Sequence, residues 1–187
     1  MTAIAAVRHE GKVWVGGDSA GCSTGYGEIT LRKDTKVFMV GKLLIGYTSS
    51  FRMAQLIRYG LAGCESIEDL DPPDKDGFRF MIQDFVPRVR WLFKEGGFQT
   101  ITDGGQEYGG NFLVAWNDNL FEVSTDYQVV ETLDGFAACG SGRDLSLGAF
   151  CVLQDTIIPP EQKIKIALDA AERFNAYVRS PFHILNT

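Results

Sequence analysis

Histidine is nearly absent from this chain: its 187 residues hold two, His9 and His183. His9 sits in the turn-like RHEGK and His183 lies four residues from the end. This scarcity decides how to read GDSAG at 17–21, a formal match to the G-x-S-x-G nucleophile elbow. An elbow serine needs a following helix and a histidine base. Here Gly and Ser crowd the next residues, CSTGYG. Ser19 therefore reads as a small residue at a strand end, and Asp18 beside it becomes the residue of interest. Paired cysteines are missing as well. Cys22, Cys64, Cys139 and Cys151 are far apart with no C-x-x-C, which excludes a zinc set and leaves buried free thiols in a reducing compartment as the expectation. No apolar run approaches the ~20 residues of a bilayer span, and the short N-terminal apolar run has no basic region before it. The expectation is a cytoplasmic protein with no membrane partner. There is no Lys/Arg block, and the net charge of −6 points away from nucleic acid. No P-loop occurs, and GSGRDLSLG is too irregular for a dinucleotide fingerprint. The charged CESIEDLDPPDKDG segment imitates a calcium loop. With Gly77 at its sixth position, however, Pro72 and Gln83 fall where the two strongest ligands belong, so no metal or other cofactor is expected.

What is present is a substantial interior. An apolar content of 45% with 12% aromatics suits one folded unit over 1–187. TAIAAVR and KVWVGGD, split by HEGK, predict a hairpin starting almost at residue 2. SAGCSTGYG reads as a loop, followed by the short β runs EITLRKD, KVFMVG and KLLIGYTSS. The period then changes. SFRMAQLIRYGLAG places Met53, Ala54, Ile57 and Leu61 on one helical face, with Ser50 as N-cap. A helix bent at Pro87 is predicted over FRFMIQDFVPRVRWLFKEGG. FQTITDGGQEYGG reads as a linker into NFLVAWN, NLFEVST, YQVVE and FAACGSG, again β. Two helices follow, the second with Ile164, Ala167, Ala171, Phe174 and Val178 as its apolar stripe, and FHIL is a last strand. This order, with nearly continuous apolar strands, implies two antiparallel sheets stacked face to face with a helical pair on each outer face, an α+β, four-layer αββα sandwich.

A chain that can begin at Thr2 after loss of Met1 carries a hydroxyl and an α-amine on one residue, a nucleophile with its own base. A chain that keeps Met1 has no such amine. With TAIAAVRHEGKVWVGGDSAG, DTKVFMVGKLLIGYTSS, ACGSG and ALDAAERFNAYV in this order, the chain resembles the proteasome β-subunit family, especially bacterial and phage proteasome-like peptidase subunits, along nearly its whole length. The resemblance implies the N-terminal nucleophile hydrolase fold and a threonine peptidase. It makes Thr2 the nucleophile, Asp18 the acid sixteen positions later, Lys36 the lysine beside the nucleophile, Gly46 the oxyanion donor and Ser141 a helper in proton transfer around the amine. The acid and serine that support the Ser141 position in the family fall here on Asn175 and Val178, a departure that leaves the sodium-binding carbonyls of that region in doubt. The implied partners are a peptide or unfolded protein substrate, further copies in a homo-oligomeric ring of six or more, and an ATPase unfoldase. Leu56 or Tyr59, off the stripe of the first helix, would touch a neighbouring subunit. Two further functions fit the same residues: a non-catalytic ring or shell subunit, and an amidase or transpeptidase using the same nucleophile. Removing Lys36 should abolish turnover at little cost in stability if it packs no core.

Overall fold

The protein is described by a computed structural model covering residues 2–23, 27–62, 76–98, 100–101 and 107–187. The opening hairpin pairs β1 (Ala3–His9) with β2 (Lys12–Gly17). Glu10 and Gly11 between them both have positive φ, 49° and 75°, as a tight turn matching strand twist requires. The predicted loop after β2 is partly a second hairpin, β3 (Ala20–Ser23) with β4 (Glu28–Leu31). Its small and polar letters concealed a strand because its partner is local and it joins neither main sheet.

β5 (Val37–Val40) and β6 (Leu43–Tyr47) lead to α1 (Phe51–Gly60). Ser50 caps α1, accepting from the backbone N–H groups of Arg52 and Met53, and the stripe Met53, Ala54, Ile57 and Leu61 is buried. Leu56 packs against the turn at Gly96, where an added Cβ would collide with it, so part of its apolar surface is used within its own chain. Tyr59 stays 71% exposed. The calcium-like segment lies mostly outside the described residues.

The next helix is one rod of three pieces: α2 (Gly77–Phe80), a π turn (Met81–Phe85) and α3 (Val86–Glu95). The wider turn lies immediately before Pro87, whose ring cannot donate a backbone hydrogen bond, so the predicted bend takes the form of a π segment. Within the expected linker, β7 (Thr100–Ile101) pairs with β8 (Glu107–Tyr108). β9 (Phe112–Trp116), β10 (Asn119–Val123), β11 (Val129–Glu131) and β12 (Phe136–Gly140) complete the second β-rich stretch. Then come α4 (Arg143–Leu153), α5 (Pro160–Phe174) and β13 (His183–Asn186). α5 stops before the predicted NAYV turn, leaving Phe174 exposed and placing the buried Val178 beyond the helix. No helix among the described residues is long and apolar enough to cross a membrane. Of the cysteines described, Cys139 is buried, Cys22 half-buried and Cys151 exposed, so the expectation of buried thiols holds for one of them.

The strands form two antiparallel sheets, β12-β1-β2-β13 and β11-β10-β9-β6-β5. Three apolar layers show how they stack. Ile4, Ala6, Val13, Val15, Leu44 and Leu113 fill the space between the sheets. On the outer face of the five-stranded sheet, α1 to α3 cover a Phe-rich layer including Phe38, Phe80, Phe85 and Phe112. On the other outer face α4 and α5 meet Ala3, Ala5, Ala167 and Ala171. Here small residues allow close approach: a Cβ on Gly16 would overlap Ile164 of α5. This is the four-layer αββα sandwich. β1 is apolar at successive positions because both its faces are covered.

An acidic side chain reaches the space between the sheets. Glu122 shares the strand face of Leu120, and burial raises its carboxyl pKa while Arg143 partly opposes the shift. A carboxyl raised in the folded state favours folding when protonated and opposes it as pH rises through the unfolded and then the folded value. Glu122→Gln should therefore stabilise the protein at pH 7, by no more than about 0.5 kcal/mol, the usual bound for substitutions outside the core. The gain should vanish below about pH 4, where glutamate is protonated in both states. Paired thermal melts at the two pH values check this.

Candidate active site

Strand register builds the centre. Ala3 pairs with Gly140 on one side of β1, and Ile4 pairs with Gly17 on the other. Continuing each ladder by one residue sets Thr2 opposite Ser141 and Ala3 opposite Asp18. The contacts agree. The Thr2 backbone nitrogen donates to Ser141 Oγ at 3.2 Å, and Ser141 Oγ donates to the Thr2 carbonyl at 3.3 Å. Asp18 Oδ1 accepts from the Ala3 amide at 3.0 Å and from Lys36 Nζ at 2.8 Å. Its Oδ2 accepts from the amides of Ala20, 3.0 Å, and Arg179, 3.3 Å. Thr2, Asp18, Lys36 and Ser141 thus converge at one end of the sandwich.

Asp18 and Lys36 are 0% and 1% exposed, so this is a buried ion pair rather than a solvated lysine near a turn. Burial lowers the Lys36 pKa, and the charge and hydrogen bond of Asp18 hold it back up. Beside Thr2 lies a cleft of about 300 Å³ walled by Cys22 and residues 47–52. On that wall Arg32 stacks 3.8 Å over the Phe51 ring and grips Asp34 through two hydrogen bonds. The pair raises the pKa of Arg32 and lowers that of Asp34. Burial, aided by Asp34, keeps the Tyr47 phenol protonated well above its usual range.

Gly46 does not join this group. It lies within β6, opposite Val37 and Leu113. The Tyr47 amide points to Lys36 O and the Thr48 amide to Asn111 O. By strand alternation the Gly46 amide faces Leu113, spent on the ladder. Its missing side chain serves packing instead, since a Cβ there would come within 2.6 Å of Ile4 and 2.9 Å of Val15. Its assignment as oxyanion donor is therefore corrected. The loop that follows offers a better group. Ser49 adopts φ 72° and its Oγ accepts from the Asn111 amide. The Thr48 and Ser50 amides turn back to Asn111 O and Thr48 O, while the Ser49 amide has no backbone partner among the described residues. Nothing in the serine's letter signals this, because the positive φ belongs to the loop.

Ser19 is buried and its Oγ donates to Pro181 O, a structural role. Asn175, noted in the sequence as a departure, still reaches the Ser141 position: its Nδ2 donates to Ser141 O at 2.8 Å.

Two stacked antiparallel sheets between helical layers, with the residue that leads into the first strand at the mouth of the sandwich, define the fold of the N-terminal nucleophile hydrolases. More particularly, the fold is that of the proteasome-like proteins. Thiobacillus denitrificans BPH superposes with a TM-score of 0.81 at 21% identity, over 100% of this chain and 97% of that one, and a second structure of it is a complex with epoxomicin. Eukaryotic HslV from Trypanosoma brucei gives 0.67 at 19% identity, over 99% and 98% of the two chains. Anbu from Yersinia bercovieri gives 0.67 at 15%, over 99% and 81%. No family model and no curated protein sequence matches the chain.

Proposed function

We propose that this protein is a proteasome-like threonine peptidase. The observation that carries the reading is one carboxylate oxygen, Asp18 Oδ1, shared by the Ala3 amide and the Lys36 ammonium. It fixes a buried positive charge one residue from a threonine whose backbone nitrogen rests on Ser141. Once Met1 is removed, that nitrogen is an amine. The nearby ammonium disfavours its protonated form and keeps it a base near neutral pH. Thr2 Oγ attacks the peptide carbonyl carbon as its proton passes to the amine. The carbonyl oxygen takes the negative charge and is held by the Ser49 amide, a donor of the kind whose loss costs about 2.7–4 kcal/mol in the transition state. The C–N bond then breaks, the leaving amine takes the proton, and an ester remains on Thr2. Water, giving its proton to the same amine, hydrolyses the ester and frees the hydroxyl.

The copies assemble as a homo-oligomeric ring in the cytoplasm, with the clefts facing an inner chamber and Tyr59 at a contact between subunits. An ATPase unfoldase supplies protein substrates. Light scattering at micromolar concentration tests the ring, and a stable, fully active monomer removes it.

The chemistry is tested by mass. Intact mass should be short of one methionine, and epoxomicin, the compound bound by the Thiobacillus protein, should add once, on the N-terminal peptide. Thr2→Ala should lose both the adduct and peptide turnover while melting like the parent. A chain that keeps Met1 and takes no adduct overturns the peptidase and leaves the non-catalytic subunit. An adduct without peptide turnover points to the amidase or transpeptidase.

A further inference from the structure

Asn175, at the end of α5, donates its amide to Ala171 O. The chain then folds back on itself: the Tyr177 amide donates to Asn175 Oδ1 at 3.0 Å, and the Val178 amide to Asn175 O at 3.3 Å. The carbonyls of Asn175 and Val178 both accept from one group, Arg179 Nη1, at 3.2 and 2.6 Å. They lie at the negative end of the α5 dipole, where a cation is held favourably.

From this closed turn three bonds enter the site. Asn175 Nδ2 donates to Ser141 O at 2.8 Å. The Arg179 amide donates to Asp18 Oδ2 at 3.3 Å, and Arg179 O accepts from the Ser19 amide at 2.9 Å. Ser141 and Asp18 are the two groups that flank the Thr2 nitrogen and the Lys36 ammonium. They come from different strands, 123 residues apart in the sequence, and the 175–179 turn touches both.

We infer that Arg179 is a positioning residue: its guanidinium, by locking the carbonyls of Asn175 and Val178, holds the turn that sets Ser141 and Asp18 about Thr2. The kinetic part of this inference rests on the reading of Thr2 as nucleophile; the structural part does not. Val178 and Ala171 are fully buried in the layer beneath α5, so the turn stays anchored without the guanidinium and Arg179→Ala should fold. What it loses is the fine placement of two groups, and misplacement of that order costs about 10²-fold in rate.

The test uses the full-length protein with Met1 removed, comparing Arg179→Ala and Arg179→Lys with the parent. In Arg179→Ala, kcat should fall about 10- to 100-fold while KM stays within about twofold. Lysine at 179, or about 50 mM guanidinium added to the alanine variant, well below denaturing levels, should restore part of it. Amide hydrogen exchange should quicken at Ser19 and Ala20 and stay unchanged along β9 and β10. An unchanged kcat, or exchange that rises equally everywhere, overturns the inference. If the parent itself neither turns over peptide nor takes epoxomicin, it is the peptidase reading that has failed. The exchange at Ser19 and Ala20 then still decides whether Arg179 holds the Asp18 loop.

Discussion

Lys36→Ala should lose turnover and, contrary to the expectation from sequence alone, several kcal/mol of stability. The sequence offers a lysine before an apolar strand, a position usually solvated. Folding instead seals Lys36 against Asp18, with neither side chain in contact with water. Deleting the ammonium leaves a buried carboxylate without its counter-charge, a loss that costs about 3–5 kcal/mol when one partner of a buried pair is removed. The amides of Ala3, Ala20 and Arg179 still serve the carboxylate, which places the expectation near the lower end. Turnover should fall by about 10²–10⁴-fold, the scale of a general base put out of tune. Urea unfolding of Lys36→Ala, Asp18→Asn and the double variant separates the effects. Neutralising both partners should recover much of the stability and none of the activity. The single variant also carries a pH signature. In the parent the folded lysine has a pKa below its ordinary 10.5, so folding favours its neutral form, and its contribution becomes more favourable as pH rises from the folded value towards 10.5. That rise should be missing in Lys36→Ala. A variant with parental stability and rate would remove the ion pair from the proposed mechanism.

Gly140→Ala should be comparably damaging, although it adds a single methyl group. Gly140 has φ +93°, a conformation that L side chains rarely adopt, and an added Cβ would overlap the Thr2 carbonyl and lie 3.2 Å from Thr48 Oγ1. The first obstacle is backbone and cannot swing aside. The backbone strain costs about 1–3 kcal/mol and the overpacking about as much again, so a loss of about 2–6 kcal/mol is expected. Because Gly140 pairs with Ala3, relief must come from shifting β1 against β12, which moves Thr2 off Ser141. Thermal melts and epoxomicin labelling should both report the loss. A soluble variant with parental melting and labelling would show that the Thr2–Ser141 register tolerates the change.

How far the sequence could be read depended on whether a residue's role was set by near or distant neighbours. The first hairpin was legible because its turn letters and alternation are local, and the capped stripe of α1 was legible for the same reason. Asp18 and Ser141 were singled out through the resemblance, and each proves to follow a strand flanking β1. Gly46 was misread because a glycine in a strand signals close approach without naming what approaches. Here it is Ile4 and Val15 from the facing sheet. Ser49 gave no sign, since its left-handed backbone is imposed by the loop between β6 and α1. Arg179 was overlooked because an arginine near a chain end reads as solvated until its guanidinium is seen to close on two backbone carbonyls. Leu56, an apolar residue off the helical stripe, packs in part against the turn after α3, a contact that its place on the helix does not announce.

The contacts around Thr2 also fix when the centre can exist. Its neighbours are Asp18 and Lys36 from the first fifth of the chain, Ser141 from the last quarter, and the turn at 175–179 near the end. β1 finds β2 at once, but its other edge waits for β12, more than a hundred residues later. A chain emerging from the ribosome therefore exposes its threonine first and completes the surroundings last. Until α5 and the turn beyond it have been made and docked, Ser141 and Asp18 lack the bonds that the turn supplies. Under the function proposed above, a nascent or truncated chain that lacks this turn is expected to turn over little peptide.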